Sequence, residues 1–115
     1  MIVYGIKTCG SVRKALKIFK ENSVEYSFFD FKKDSVDESK IREWLKKTTI
    51  DKLFNNRGTK YRTLKLKDLN LDEEGKIEWL AKENMLIKRP VIEYNNSLNG
   101  SLIVGFDEDI IKDIK

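Results

Sequence analysis

The sequence predicts an α/β domain in which a β-α-β half and a β-β-α half flank a helical insertion. Three observations point to this. A short β-branched run ends at a glycine and leads into an amphipathic helical stripe and then an aromatic strand. The middle of the chain carries capping signals and helical spacing. The last 25 or so residues hold two apolar runs separated by turn residues, followed by a helix. At 115 residues the chain has the length of one domain, so residues 1–115 read as a single domain with the insertion at about residues 35–85.

Each element follows from local pattern. Ile2 to Tyr4 is a buried strand that stops at Gly5. Ile6 to Ser11 is a turn. Val12, Ala15, Leu16 and Phe19, at i, i+3, i+4 and i+7, form one apolar helical face, with Arg13, Lys14, Lys17 and Lys20 mostly opposite. Asn22-Ser23 ends that helix, and Tyr26 to Phe31 is the second strand. A strand–helix–strand of this length favours a parallel pair. Ser35-Val36-Asp37-Glu38 has the spacing of a capping box, ahead of a helix with Ile41, Trp44 and Leu45 on one face. Ile50, Leu53 and Phe54 mark a further helical turn, and Asn55 to Thr59 a loop. Asp72-Glu73-Glu74 places acid at a helix start, with Ile77, Leu80, Ala81 and Met85 on the buried side. Arg89-Pro90 precedes a strand from Val91 to Tyr94. Asn95 to Gly100 is turn chemistry, and Ser101 to Phe106 is the returning strand of a hairpin. Asp107 caps a last helix with Ile110, Ile111 and Ile114. This is the layout of a thioredoxin-like domain with a helical insertion between its halves.

Composition excludes several chemistries. Histidine is absent, which removes Ser-His-Asp and Cys-His catalysis and any histidine metal site. One cysteine allows neither an internal disulfide, a CxxC pair nor a thiolate zinc cluster, and it fits a reducing compartment. No metal is expected. No apolar run reaches the ~20 residues of a membrane span, and Met1 to Gly5 lacks the basic-then-apolar pattern of a secretion signal. The expected location is the cytoplasm, with no membrane partner. The net charge of +4 permits anionic partners without selecting one.

Cys9 is the first candidate for chemistry. It stands between a strand and a helix, where unpaired N–H groups and the positive helix end stabilise a thiolate. The bland reading is a small, inert core cysteine. Gly10 and Ser11 let the backbone approach a ligand closely, and Arg13 lies one turn on. Pro90 is the only proline. It reads as a cis junction aiming Arg89 at the first βα loop, or as a plain proline opening a strand. Arg57, in an asparagine-rich loop, offers either a guanidinium fork for an oxyanion or a solvated surface charge. Residues 46–68 carry eight basic and two acidic side chains. That is either a surface for an anionic macromolecule or a solvated lysine-rich face.

Four segments in order, Tyr4-Gly5-Ile6-Lys7-Thr8-Cys9-Gly10-Ser11-Val12-Arg13-Lys14-Ala15, Asn56-Arg57-Gly58-Thr59, Ile87-Lys88-Arg89-Pro90-Val91 and Val104-Gly105-Phe106, resemble the arsenate reductase-like family. That family spans the glutaredoxin-coupled arsenate reductases, the YffB proteins and the Spx-type regulators, and the opening and the Asn-Arg-Gly-Thr loop look most like the YffB branch. The resemblance implies a thioredoxin-like fold, a cis Pro90 and Cys9 as nucleophile. In arsenate reductases the cysteine forms a thiol–arsenate adduct that glutathione and glutaredoxin resolve, and arginines hold the oxyanion. Arg57 and Arg89 match two of these; the third would fall near Gly105, and Ser101 to Phe106 contains no arginine. Arg13 would act through charge, with Gly10 and Ser11 at the anion.

The function so implied is an arsenate reductase-like, glutathione-dependent thiol oxidoreductase with one nucleophilic cysteine. It would hold no bound cofactor, take glutathione as its external thiol, and have glutathione or glutaredoxin as partner. The alternative is an Spx-type regulator binding the C-terminal domain of the RNA polymerase α subunit, without the CxxC switch because Val12 stands at its second position. A nucleic-acid role ranks third.

Overall fold

A computed structural model describes residues 1–95 and 100–114. The chain divides into two compact units. One is formed by Met1–Asp34 together with Arg89–Lys115, the other by Ser35–Lys88.

The first unit is built on a four-stranded sheet in the order β2-β1-β3-β4. Strand β1 (Ile2–Gly5) runs parallel to β2 (Ser27–Asp30) and antiparallel to β3 (Val91–Asn95), which pairs antiparallel with β4 (Gly100–Val104). The parallel pair requires a crossover, and α1 (Gly10–Glu21) supplies it. Register places Phe28, Val3, Ile92 and Ile103 in one row across all four strands. That row meets Ala15 and Phe19 of α1 and Ile111 of α6 (Glu108–Lys112) to make the core. Val3, Ala15, Phe19, Ile92 and Ile111 are wholly shielded from solvent, so burial of this stripe is what holds helix to sheet. The turn between β3 and β4 expected at Asn95 to Gly100 falls, at residues 96–99, outside the described residues. The returning strand ends at Val104 rather than Phe106. Gly105 turns there with φ 83°, and its N–H donates to the carbonyl of Pro90 at 2.8 Å.

The second unit is helical: α2 (Glu38–Trp44), α3 (Ile50–Leu53), α4 (Thr59–Thr63) and α5 (Glu73–Lys82), with 3₁₀ turns at Leu66–Leu69 and Asn84–Leu86. Helices α2 and α5 pack together, and Ile41, Trp44, Leu53, Leu66, Ile77, Leu80, Leu86 and Ile87 are buried. The capping box expected to begin at Ser35 is corrected. Asp37 is the N-cap, its side chain accepting from the Lys40 N–H at 3.0 Å. The cause is Val36, which is buried with its N–H given to Asn84 Oδ1 at 2.8 Å, so the helix starts two residues later than a Ser35 cap requires. Asp72 caps α5 through the Gly75 N–H at 2.7 Å. The sequence pattern assigns no element to residues 60–71; the structure places most of α4 and a 3₁₀ turn there. Among the described residues no helix is long and apolar enough to cross a membrane.

Candidate active site

Cys9 is the N-cap of α1, in extended conformation (φ −77°, ψ 126°), and its side chain makes no capping hydrogen bond. The backbone fixes it from both sides. Its N–H donates to the Ile6 carbonyl (3.2 Å) and its carbonyl accepts from the Arg13 N–H (3.0 Å). The thiol is free and half-buried. Serine, threonine, aspartate or asparagine at an N-cap would engage the first-turn N–H groups. A cysteine that does not do so leaves the donors of Gly10, Ser11 and Val12 for an incoming group. No acidic residue stands in that first turn to compete. A Cβ built on Gly10 would meet nothing within 4 Å, so the approach to the helix end is open. Gly5 is the opposite case: its Cβ would lie 2.6 Å from Val12 Cγ2, and the missing side chain is what lets the start of α1 sit against the end of β1.

Sheet register gathers further residues at the same end. Tyr4, near the end of β1, pairs with Val91 at the start of β3, and Val91 pairs with Val104 at the end of β4. The Arg89–Pro90 bond, which is cis, therefore lies at the edge of the sheet from which the Ile6–Cys9 turn leaves, and so does Gly105. Pro90 is buried, and Arg89 is half-buried with its Nε out of reach of solvent. Arg13 is exposed on α1 and Ser11 half-buried. Gly105 entered the sequence reading only as part of a motif. Its role as the turn bonded to Pro90 was signalled by a glycine directly after an apolar strand.

Arg57 belongs to the other unit. It is exposed, and its N–H donates to Asn55 Oδ1 at 3.2 Å, which closes the loop before α4. Among the described residues no group of three or more His, Cys, Asp or Glu is arranged to hold a metal ion.

The family model for "ArsC family" matches residues 4–114, from β1 to the end of the last helix. The chain belongs to the ArsC family. An uncharacterized protein of Haemophilus influenzae is 35% identical over 92% of this chain and 90% of its own length. Among solved structures, a protein named YffB superposes with a TM-score of 0.82 at 34% identity, covering 95% of this chain and 93% of that one. A Brucella melitensis protein described as related to arsenate reductase (ArsC) superposes with a TM-score of 0.73 at 30% identity, covering 94% and 88%. ArsC-family membership fits the thioredoxin-like sheet of the first unit and the helical insertion between its halves.

Proposed function

We propose that this ArsC-family protein is a single-cysteine thiol oxidoreductase that works with glutathione. One observation carries the reading. The chain's one thiol stands at the N-terminus of α1, partly exposed, with its sulfur not used as a cap and the space over Gly10 open. The positive end of α1 favours negative charge on the sulfur or on a group arriving beside it. Arg13 and Arg89 add cationic charge for the carboxylates of glutathione.

With no second cysteine, the resolving thiol comes from outside. The Cys9 thiolate attacks the glutathione sulfur of a mixed disulfide R–S–SG. The S–S bond breaks, R–S⁻ leaves with the electron pair and takes a proton from water, and Cys9 carries the glutathionyl group. A glutathione thiolate then attacks that adduct, releasing oxidised glutathione and restoring the Cys9 thiolate. The net change is R–S–SG plus one glutathione giving R–SH and oxidised glutathione. A partly exposed single thiol without an internal partner suits a reducing compartment, so the cytoplasm is part of the same reading.

Cys9→Ser is expected to lose all glutathione-dependent reduction of a mixed-disulfide substrate while its circular dichroism spectrum stays that of the parent. Turnover surviving in that variant would sink the mechanism.

A further inference from the structure

The insertion unit contains a cavity that the thiol chemistry does not use. Its volume is about 320 Å³, at the small end of the range that takes small molecules. Its walls come from four elements. Phe54 follows α3, Tyr61 lies on α4, and the two rings meet edge-on at 5.9 Å with their planes at 86°. Leu66, Lys67 and Asn70 come from the 3₁₀ turn and its end, and that turn is bounded by two residues in the left-handed region, Lys65 (φ 54°) and Asn70 (φ 46°). Lys76 of α5 closes the remaining side, its Nζ 5.8 Å from the centre of the Phe54 ring.

The lining combines three chemistries. A perpendicular aromatic pair receives a third ring stacked on one member or edge-on to the other. Two ammonium groups, Lys67 and Lys76, answer negative charge. The amide of Asn70 both donates and accepts. Asp51 is the one carboxylate at the site, and it holds Lys76 at 3.6 Å with its own side chain 85% exposed. Such a pair is weak in water, so a ligand anion in the cavity can take Lys76 from it. Lys67 makes no ion pair among the described residues. The stretch from Lys46 to Asp68, with eight basic and two acidic residues, supplies a field that draws anions towards this unit.

We propose that the cavity framed by Phe54, Tyr61, Leu66, Lys67, Asn70 and Lys76 binds a compact anion that carries a flat ring, the ring against the aromatic pair and the charge between the two lysines. This does not depend on Cys9, and its failure would leave the thiol reading standing.

The test is a titration of the full-length protein followed by heteronuclear NMR. The probes are adenosine 5′-monophosphate and 4-hydroxybenzoate as ring anions, adenosine as ring without charge, and inorganic phosphate as charge without ring. The expected result is saturable shifts, from at least one ring anion, at the amides of Tyr61, Lys67 and Asn70. Tighter binding of that probe than of adenosine or phosphate is part of the expectation. Lys67→Gln, a change at an exposed side chain, should weaken it about fivefold, the size of one surface charge contact, and Tyr61→Leu should weaken it while keeping the apolar bulk. The proposal is overturned by no saturable shift with either ring anion, by shifts confined to other parts of the chain, by adenosine or phosphate binding as tightly as the ring anions, or by affinity unchanged in both variants.

Discussion

Asn84 shows how one side chain can hold a segment that has no regular structure. Among the described residues it is the only buried polar side chain. Its Nδ2 donates to the carbonyls of Leu80 (2.8 Å) and Val36 (3.2 Å), and its Oδ1 accepts from the Val36 N–H. It therefore ties the chain entering α2 to the end of α5. Asn84→Ala would leave three backbone groups unsatisfied in a buried place, each of which is costly. The expected loss is about 2–3 kcal/mol of unfolding free energy by urea titration, and a loss below about 1 kcal/mol would refute the tie. Nothing in the sequence singled Asn84 out, because a lone asparagine after a helix reads equally well as a solvated C-cap. Cys9, Arg89 and Pro90 were legible for the opposite reason. Each is the sole member of its type, or a neighbour of one, at a junction of elements.

At the scale of elements, β1 and α1 meet through an absent side chain. With Gly5 Cβ-to-Val12 Cγ2 separation at 2.6 Å, and Val12 fully buried, Gly5→Ala forces one element off the other. The expected cost is about 1–3 kcal/mol, read as a lower urea midpoint; a variant as stable as the parent would show that the contact yields freely. Helices α2 and α5 are linked on their outer side by Arg42, which donates to Glu38 at 2.7 Å and to Glu74 at 2.5 Å. The hydrogen bonds from Arg42, and then its charge, hold the Glu74 carboxyl below its ordinary value of 4.5. A depressed carboxylate contributes stability that is present above its unfolded pKa and lost as pH falls through the folded one. Glu74→Gln should therefore lower the urea midpoint slightly near neutral pH, and the gap should close in acid below about pH 4. A gap that persists unchanged in acid would show that charge plays no part.

Helices α1 and α5 were readable because one face is buried and repeats at 3.6, and β1 and the Val91 strand because each is a short apolar run whose successive residues are buried. Helix α4 and the 3₁₀ turn were not. Residues 60–71 mix charged and polar side chains with leucines and one tyrosine, and bury only Leu66 completely. Their path is set by left-handed backbone at Lys65 and Asn70, where no glycine marks the turn.

For the whole molecule, the sheet and the helical insertion were visible in the order of patterned elements, and the family in four short motifs. Three of these sit at the ends of strands, where backbone geometry limits residue choice, while residues 56–59 lead from the loop after α3 into α4.

The division of the chain has a consequence for its birth on the ribosome. Residues 35–88 are contiguous and can close on themselves as soon as they emerge. The sheet cannot. Strand β1 is made first, yet its partner β3 follows some ninety residues later, and the Tyr4 hydroxyl waits for Glu93 across a separation of 89 positions. During synthesis the N-terminal strand–helix–strand unit must therefore stand with an unpaired edge, and the turn that carries the only thiol is made before the strand and cis proline that will flank it.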